Sequence, residues 1–386
     1  MKINSEISAT KPSPHKCFPK SKPLQALCIS SIILGFLILI IGIILIALFG
    51  TIPCSLIICH SKASKCINHP FRAECICDFG YQGDGLHYCD ECGLSFAEKN
   101  LKIIGGIDAA SNSWPSAAYL RFFYEGDVAI QLEDGSTASV YVKQGGLCGG
   151  SLIDRKHVLT AAHCLQAMLK VTYNNKEYYS KAKINSKFPS LESMYLIFLG
   201  INDISALTSS QAYSIKKIYN HEEYSGSTLL NDIAVIKLDD EVVLNSNIQL
   251  ACVPDFSKKY YPTGVNIKSW VIGWGFTNQS AKTLPNLLQN LNVYIYDPSV
   301  CSDVGSEVEK NWNSQICAGD IVEGKSACNG DSGGSLFVLD SVQGKNKFMS
   351  VGIVSYGNGT CGGVDNPQIY TRISYFGEWI QSKKFS

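Results

Sequence analysis

The sequence predicts β-strands in the largest part of the chain, residues 103–386. Residues 231–238 alternate like a β-strand, and short apolar runs stand at 158–159 and 336–339 beside polar motifs. The chain has 386 residues, a length that suggests two or three domains. Lys plus Arg total 33 and Asp plus Glu total 33, so no basic excess supports a nucleic-acid binder.

An apolar segment near the N-terminus predicts a membrane anchor. Residues 26–49 form a run of 24 without charge, which as a helix spans roughly 36 Å, enough for a hydrocarbon core of about 30 Å. A cleaved signal peptide is the alternative, but its apolar region is usually about 7–15 residues long. The leader, residues 1–25, carries several Lys against Glu6 alone, so the positive-inside rule places it in the cytoplasm. We therefore expect a single-pass type II protein of the cell membrane, extracellular after Phe49.

Six cysteines in close succession predict a small disulfide-stapled domain at residues 54–89. The chain holds 16 Cys, an even and high number that indicates an oxidising compartment. A zinc site is the alternative, but its cysteines are usually separated by about two to four residues, whereas the tight pair here is Cys75 and Cys77. Spacing alone does not choose among the many pairings that six cysteines allow.

Three polar motifs in the C-terminal part carry residues suited to nucleophilic catalysis. His163 lies in Thr160–Cys164, Asp232 opens the strand-like segment, and Ser332 stands among glycines in Gly330–Gly334. A serine hydroxyl is a weak nucleophile, and a histidine with a pKa near 6.5 can accept its proton and return it to the leaving group. A carboxylate fixes the histidine tautomer, and glycines let backbone N–H groups approach a developing oxyanion. The three motifs together, in the order His, Asp, Ser, are hard to obtain by chance.

These motifs make residues 103–386 resemble a serine protease of the chymotrypsin family. The resemblance implies that His163 is the general base, that Asp232 orients it and that Ser332 is the nucleophile. The backbone N–H groups of Gly330 and Ser332 would form the oxyanion hole. Ser355 is similar to the residue that supports the triad aspartate in this family.

The resemblance also predicts the architecture. The family fold is all-β, with two antiparallel six-stranded β-barrels, the site between them and a C-terminal helix, for which residues 375–380 fit. Residues 54–89 resemble an epidermal-growth-factor-like (EGF-like) domain, including the segment from Cys77 to Cys89. A calcium site is not supported, because the residues directly before Cys54, which are Thr51, Ile52 and Pro53, are not acidic. We expect this domain to be a rigid spacer rather than a binding module, joined to the protease domain by the linker 90–102.

Both resemblances imply disulfide pairs. These are Cys54–Cys66, Cys59–Cys75, Cys77–Cys89, Cys148–Cys164, Cys301–Cys317 and Cys328–Cys361. The pair that remains, Cys92 and Cys252, resembles the bridge that ties the pro-region to the catalytic domain in chymotrypsin-like zymogens. All extracellular cysteines are then used, and Cys17 and Cys28 remain in the leader and the anchor. We expect the Cys92–Cys252 bridge to keep the activated enzyme at the membrane.

The segment Leu101–Gly106 resembles the activation junction of the family. Cleavage after Lys102 would free the amine of Ile103, which in this family pairs with the carboxylate beside the nucleophile, here Asp331. A buried carboxylate without a partner is costly, so such pairing can order a loop. The alternative is a Gly-Gly turn that is never cut.

The pocket for the residue before the scissile bond is expected to favour uncharged side chains. Trypsin-like members have an aspartate six residues before the nucleophile, where this chain has Ser326. Gly357 leaves the pocket mouth open, and Gln368 replaces the glycine that the family usually has on the pocket wall. The glutamine would narrow the pocket or offer a polar group. Such an enzyme would cut poorly after Lys102, so we expect a separate trypsin-like protease to activate it.

Two segments are longer than is usual for the family. They are residues 125–144 and the part between Cys164 and Leu199, and both flank the predicted histidine. They are either tolerated surface insertions or part of the rim of the substrate cleft. Asn278 and Asn358 match the glycosylation acceptor pattern. No cofactor and no metal are expected.

Taken together, these features predict a membrane-anchored serine endopeptidase, made as a zymogen, that acts on proteins or peptides. A catalytically silent adhesion or binding protein on a protease scaffold is one alternative, although such proteins typically lose a triad residue or the junction. A secreted protease whose N-terminus is removed is another. Covalent labelling of Ser332 distinguishes the active enzyme from the catalytically silent protein. N-terminal sequencing of the mature protein distinguishes the anchored form from the secreted form.

Overall fold

The computed structural model describes residues 54–69, 72–95, 107–277, 283–359 and 361–385. The leader 1–25, the expected anchor 26–49, Lys102, Ile103 and Asn278 lie outside these ranges. Within the described residues, no helix has the length and apolar character needed to cross a membrane.

The chain divides into two compact units. Among the described residues, the first holds 54–58, 66–69 and 72–74, and the second holds 59–65 and the residues from Cys75 onward. The first unit contains the Cys54–Cys66 disulfide. The Cys54 N–H donates to Asn68 Oδ1 at 2.7 Å, and His69 Nε2 lies 2.8 Å from the buried carboxylate of Glu74. So small a unit depends on its cross-link, because it cannot bury a large core.

Two further disulfides lie in the second unit, which also holds part or all of four short strands. Cys59 is joined to Cys75 and Cys77 to Cys89, and with Cys54–Cys66 these are the pairs that the EGF-like resemblance implies. The strands form two-stranded sheets, β1 (Ala63–His69) with β2 (Arg72–Cys77), and β3 (Tyr81–Gly83) with β4 (Cys89–Glu91).

A six-stranded antiparallel sheet forms the first half of the protease-like part. Its strands are β6 (Ala117–Gln131), β7 (Thr137–Asp154), β8 (His157–Thr160), β11 (Tyr195–Leu199), β12 (Ile215–Asn220) and β13 (Ala234–Leu238). Their order is β11-β6-β7-β8-β13-β12. Strand β13 lies inside the sheet, and its Val235 and Ile236 are both fully buried. Burying such a side chain contributes about 1.5–3 kcal/mol, which explains why this strand has apolar residues on both faces.

Two hairpins occupy the long segments that the sequence singled out. Strands β6 and β7 stay paired from Ala117 opposite Ser151 out to Gln131 opposite Thr137. Strands β9 (Met168–Tyr173) and β10 (Lys176–Lys181) form a separate two-stranded sheet. The turn between them is Asn174-Asn175, and both residues have positive φ, 48° and 59°. Asparagine tolerates this left-handed backbone, which a tight hairpin turn needs at both positions.

A seven-stranded antiparallel sheet forms the second half. Its strands are β5 (Ile107–Asp108), β14 (Ile267–Gly273), β15 (Gln289–Ile295), β16 (Gln315–Gly319), β17 (Ser335–Val342), β18 (Lys345–Tyr356) and β19 (Gln368–Arg372). The order is β14-β17-β18-β19-β16-β15-β5, and an additional pairing of β14 with β15 closes six of the strands into a barrel. The expected two-barrel architecture is confirmed, with β5 as an extra edge strand.

A chain of buried hydroxyl groups joins the two halves. Ser151 Oγ of β7 lies 2.7 Å from Ser335 Oγ of β17, which lies 2.7 Å from Ser350 Oγ of β18. All three side chains are buried. Because a buried hydroxyl group without a partner is destabilising, these hydrogen bonds favour one arrangement of the two sheets. They lie a few residues from Ser332.

The chain ends in a short helix. Helix α1 (Gly377–Lys384) follows a 3₁₀ turn at Ile373–Phe376, so Tyr375, expected in the helix, lies in the turn before it. Ser374 Oγ within this turn donates to the carbonyl groups of Lys259 and Tyr261 at 2.9 and 2.8 Å. These bonds stabilise the 3₁₀ turn, and the α-helix therefore begins at Gly377.

The segment after the cysteine-rich strands packs on the second barrel. Cys92 is bonded to Cys252. Beside this bridge, Lys347 of β18 is only 3% exposed. Its Nζ donates to Gly80 O at 3.2 Å, to Cys92 O at 3.1 Å and to Glu91 Oε1 at 2.9 Å. All three donors of the ammonium group are used, which is the condition for burying a charge.

Candidate active site

The pairing of two strands brings His163 and Asp232 together. Thr160 of β8 lies opposite Ala234 of β13, so the residues just beyond these strand ends meet at one edge of the sheet. His163 Nδ1 lies 2.8 Å from Asp232 Oδ2, and the His163 backbone N–H donates to Asp232 Oδ1 at 2.9 Å. The carboxylate therefore holds both the ring and the backbone of the histidine.

Asp232 is fully buried and its polar atoms are satisfied by the second barrel as well. Ser355 Oγ donates to Asp232 Oδ2 at 2.5 Å, and Thr371 Oγ1 donates to the Asp232 carbonyl at 2.8 Å. Burial disfavours the charge, but His163 and the hydrogen bonds from His163 and Ser355 outweigh it and lower the pKa of Asp232. Burial also disfavours the charged form of His163, which lowers the pKa of this residue. The charge of Asp232 and its hydrogen bond together outweigh burial, so the pKa of His163 lies above its ordinary value.

Ser332 lies in a glycine-rich turn that leads into β17. Gly330 and Gly333 have φ values of 104° and 79°, a backbone that side chains rarely adopt. A methyl group on Gly333 would come within 2.2 Å of Thr160 Oγ1. The Ser332 carbonyl accepts a bond from the Gly149 N–H at 2.7 Å, and the Gly333 N–H donates to Val354 O at 2.9 Å. These contacts fix the turn against both barrels.

His163 and Ser332 line the same cavity. Among the described residues, no hydrogen bond joins Ser332 Oγ to His163 Nε2, and Nε2 lies 3.8 Å from Cys164 Sγ. Catalytic hydrogen bonds are often long without substrate. The backbone N–H groups of Gly330 and Ser332, expected as oxyanion donors, make no hydrogen bond to any described residue. The Ser332 hydroxyl and the His163 ring thus lie at one cavity, and the N–H groups of Gly330 and Ser332 are unpaired among the described residues.

The carboxylate of Asp331 lies behind this turn. Its two oxygens accept bonds from the backbone N–H groups of Gly275 and Cys328, each at 2.8 Å. Burial raises the pKa of Asp331 to about 6, although these two bonds act in the opposite direction. Methyl groups on Gly273 or Gly275 would come within 2.0–2.5 Å of the carboxylate, so both positions require glycine.

The residues expected to form the substrate pocket lie close together. Ser326 Oγ accepts a bond from the Gly362 N–H at 2.9 Å. Gln368, at the start of β19, is 7% exposed, and its Nε2 donates to Ala327 O at 2.6 Å. Its Oε1 has no hydrogen-bond partner among the described residues. A buried acceptor of this kind is costly to leave unpaired. The Gln368 side chain lies beside Gly357.

The disulfides of the protease-like part are also those that the resemblance implies. Cys148 is joined to Cys164, Cys301 to Cys317 and Cys328 to Cys361. The sulfur atoms of Cys148 and Cys164 lie near the His163 ring, but as a disulfide they are poor metal ligands, because metal binding needs the thiolate. Among the described residues, this cluster therefore provides no metal-binding site at the cavity.

One expected glycosylation residue is described. Asn358 is exposed, and its Oδ1 accepts a bond from the Gly305 N–H at 2.8 Å. The amide nitrogen, to which a glycan would be attached, is not used by that bond. Asn278 lies outside the described residues.

Sequence reasoning missed Ala167 and Tyr195, two residues that line the same cavity as His163. The Tyr195 hydroxyl accepts a hydrogen bond from the Ala167 N–H at 3.0 Å, and Ala167 has a φ of 49°. A left-handed alanine has no signature in the sequence, and Tyr195 is far from it along the chain. Only the apolar pattern of the strand at Tyr195–Leu199 could have indicated a buried tyrosine there.

Comparisons with known proteins agree with this fold. The Trypsin family pattern matches residues 124–380. Transmembrane protease serine 11G of Rattus norvegicus is 30% identical over 293 residues, which are 76% of this chain and 58% of that protein. The Mus musculus protein of the same name is 32% identical over 246 residues, 64% of this chain and 51% of that protein. Chymotrypsin-C of Bos taurus is 31% identical over 314 residues, 77% of this chain and 95% of that protein.

The fold and the matched proteins are those of the class of serine-type endopeptidases. The chain belongs to the trypsin family. It spans little more than half the length of the two transmembrane proteases that it matches.

Proposed function

We propose that this protein hydrolyses peptide bonds through Ser332, His163 and Asp232. The observation that carries the proposal is the His163–Asp232 pair, 2.8 Å apart, at the same cavity as Ser332. His163 Nε2 takes the proton as Ser332 Oγ attacks the carbonyl carbon, and the same proton passes to the leaving amine as the C–N bond breaks. Water then repeats the sequence on the acyl-enzyme, releasing the acid and restoring Ser332.

The developing oxyanion would be stabilised by the N–H groups of Gly330 and Ser332. Both donors are without a hydrogen bond to the described residues, so they are available to a bound carbonyl oxygen. Losing one such donor typically costs about 2.7–4 kcal/mol of transition-state stabilisation. The positive φ of Gly330 sets the direction of this part of the turn, which explains why a glycine precedes Asp331.

The protein is proposed to be made as a zymogen that is activated by cleavage after Lys102. The new amine of Ile103 would pair with Asp331. In support, the only hydrogen-bond donors to the Asp331 carboxylate among the described residues are two backbone N–H groups, and burial raises its pKa to about 6. A cation brought to this carboxylate would therefore be strongly stabilised.

A type II membrane location is part of the same proposal. It rests on the uncharged run 26–49 and the basic leader, and two relatives are named transmembrane proteases. The three disulfides of residues 54–89 support an EGF-like spacer. The Cys92–Cys252 bridge would keep the cleaved catalytic part attached to it.

The substrate pocket is proposed to accept uncharged side chains. Ser326 carries no charge, and Gln368 reaches across to Ala327 O, so no described carboxylate faces a basic substrate side chain there. An enzyme with this pocket would not cut efficiently after Lys102, and a separate trypsin-like protease is therefore proposed as its activator.

The test is hydrolysis by the full chain in detergent after limited cleavage at Lys102. The cleaved chain should release the C-terminal product from a peptide with an uncharged residue before the scissile bond. Ser332→Ala should abolish the activity, and Ser341→Ala, a change on the surface of β17, should retain it. Full activity of Ser332→Ala would overturn the proposal.

A further inference from the structure

Two large apolar side chains of the first unit are exposed to solvent. Leu56 is 77% exposed and Ile58 is 92% exposed. Single exposed apolar residues are common, but among the described residues Ile58 is the most exposed large apolar side chain, and Leu56 lies two residues from it. We infer that residues 54–58, the apolar turn, bind the lipid surface beside the expected anchor. The inference rests on the proposed membrane location and adds a second contact with the membrane.

The sequence between the expected anchor and the apolar turn carries no charge. Residues 23–61 contain no Asp, Glu, Lys or Arg, so the uncharged segment does not stop at Phe49 but continues through the turn. The first charged residue after the anchor is Lys62. Because a solvated protein surface usually carries about 25–35% charged residues, an exposed segment without any charge is better suited to a lipid surface than to water.

A short connection keeps the apolar turn near the bilayer. Only residues 50–53 separate Phe49, the end of the expected anchor, from Cys54. At roughly 3.6 Å per residue, the chain holds Cys54 within about 18 Å of the anchor, whatever its conformation. The headgroup layer on one side of the hydrocarbon core is itself roughly 5–8 Å thick. Contact with lipid is therefore intramolecular in effect, and a small gain per side chain is sufficient to maintain it.

A disulfide and two hydrogen bonds hold the apolar turn in its conformation. Its first residues, Cys54–Leu56, form a 3₁₀ turn, and the Ile57 N–H donates to Cys54 O at 3.3 Å. Cys54 is bonded to Cys66, and its N–H donates to Asn68 Oδ1 at 2.7 Å. Because the backbone is held at this end, the two apolar side chains stay exposed, and little conformational entropy is lost when they bind.

The charges of the first unit do not oppose contact with lipid. Its one acidic residue among the described positions, Glu74, is 5% exposed, and its carboxylate lies 2.8 Å from His69 Nε2. A buried and paired carboxylate does not face lipid phosphates. The apolar turn has no Lys or Arg that would require anionic lipid. The occupant that fits is therefore the headgroup boundary of a zwitterionic lipid surface.

Contact with lipid would depend on the two exposed side chains. Apolar residues of membrane-surface segments lie at the boundary between headgroups and acyl chains, which is the depth expected for Leu56 and Ile58. Replacing Leu56 by Asp removes a large apolar side chain and adds a charge, so the ratio of lipid-bound to free turn should fall at least about tenfold.

The experiment uses the full chain with Ile58→Trp in phosphatidylcholine nanodiscs, with the five tryptophans of the wild type as the baseline. The added fluorescence should be quenched by lipid brominated near the headgroup end of its acyl chains and protected from aqueous iodide. Leu56→Asp in this background should lower the ratio of lipid-bound to free turn at least about tenfold. Val243→Asp, at an apolar residue that is also 77% exposed, should leave it unchanged.

Incorporation of the wild type into the nanodiscs separates this inference from the proposed membrane location. A chain that is not incorporated would overturn both. An incorporated chain in which iodide but not brominated lipid quenches Ile58→Trp would overturn the inference and leave the anchor in place. Protection from both quenchers would indicate a protein contact and would also contradict it. Leu56→Trp gives a second position, at which lipid quenching is likewise expected.

Discussion

The side chain of Gln368 lies directly over Gly357. A methyl group on Gly357 would come within 3.0 Å of Gln368 Cγ and 3.2 Å of its Nε2. The amide is tied to Ala327 O at 2.6 Å, and its Oε1 is buried without a hydrogen-bond partner among the described residues. The glutamine therefore fills space that a glycine on the same wall would leave to substrate.

Replacing this side chain should widen the pocket. We expect Gln368→Gly to raise kcat/KM about tenfold for peptides with Phe or Tyr before the scissile bond, relative to peptides with Ala there, since a filled apolar pocket contributes about 1–3 kcal/mol. A peptide-library profile of the cleaved chain measures this. Gln343→Gly is the matched control, because Gln343 sits in an exposed turn with a φ of 52°. An identical profile for Gln368→Gly and the wild type would show that Gln368 does not limit the pocket.

Removal of the Asp232 charge should change both rate and pH dependence. Burial lowers the pKa of His163, and the charge of Asp232 raises it above its ordinary value. Because His163 must be neutral to accept a proton, the acidic limb of kcat/KM should lie above pH 6.5 in the wild type. In Asp232→Asn the burial effect remains and the limb should move to lower pH. The rate should fall about 10⁴-fold, as known for this family.

The pH–rate profile of the two forms checks this directly. Ser355→Ala serves as a comparison, since it removes one hydrogen bond to Asp232 but keeps the charge, so its acidic limb should stay above pH 6.5. An acidic limb of Asp232→Asn at the wild-type position would contradict the assignment of His163 as the base.

The contribution of Asp331 to the stability of the uncleaved chain should become more favourable as the pH falls. Asp331 has a folded pKa of about 6, raised by burial from 3.8, so its effect on stability is favourable below the unfolded value and is lost as the pH rises through about 6. We expect the Tm of the wild type, relative to Asp331→Asn, to rise on going from pH 7 to pH 4. Asp303→Asn, a change of an exposed carboxylate, should show no such trend. A Tm difference independent of pH would place Asp331 in a solvated environment instead.

The bridge between Cys92 and Cys252 should hold the catalytic part after cleavage. Once the chain is cut after Lys102, both fragments should migrate together on a denaturing gel without reductant and separate with it. In the Cys92→Ser/Cys252→Ser double variant they should separate in both lanes. Separation of the wild-type fragments without reductant would show that the disulfide is not formed.

The buried ammonium group of Lys347 should stabilise the segment next to that bridge. Lys347→Met removes a donor from the buried carbonyl of Cys92, whereas Gly80 O keeps the bond from the Cys92 N–H and Glu91 keeps the bond from Lys345. Each unsatisfied buried group typically costs about 1–3 kcal/mol, so the Tm of the chain should fall measurably. Lys345→Met, an exposed change on the same strand, should have little effect. A Tm unchanged by Lys347→Met would show that this contact contributes nothing.

The residues with a chemical signature could be recognised from the sequence. His163, Asp232 and Ser332 lie in short motifs whose composition follows from their chemistry. The two-barrel fold was predicted from the family that these motifs resemble. The resemblance also implied each disulfide pair that the structure contains. Local chemistry alone would not have paired Cys92 with Cys252, which lie 160 residues apart.

The features that depend on long-range packing could not be predicted. Ala167, which has a positive φ, donates its N–H to Tyr195, 28 residues later in the chain. The burial of Lys347 depends on two carbonyl groups and one carboxylate that lie 255 to 267 residues before it. The two long segments were expected either as surface insertions or as a rim. Their pairing through Gln144 and Lys170 is a tertiary contact with no sequence pattern of its own.

The reactivity of Ser332 is the most direct test of the proposed chemistry. The full chain, cleaved after Lys102, is treated with an organophosphonate, and the modified peptide is identified by mass spectrometry. The label should be found on Ser332 and not on Ser326 or Ser335, and His163→Ala should slow labelling by about 10²–10⁴-fold because the base is gone. Stoichiometric cleavage without any label on Ser332, or equal labelling of His163→Ala and the wild type, would contradict a histidine-activated serine nucleophile.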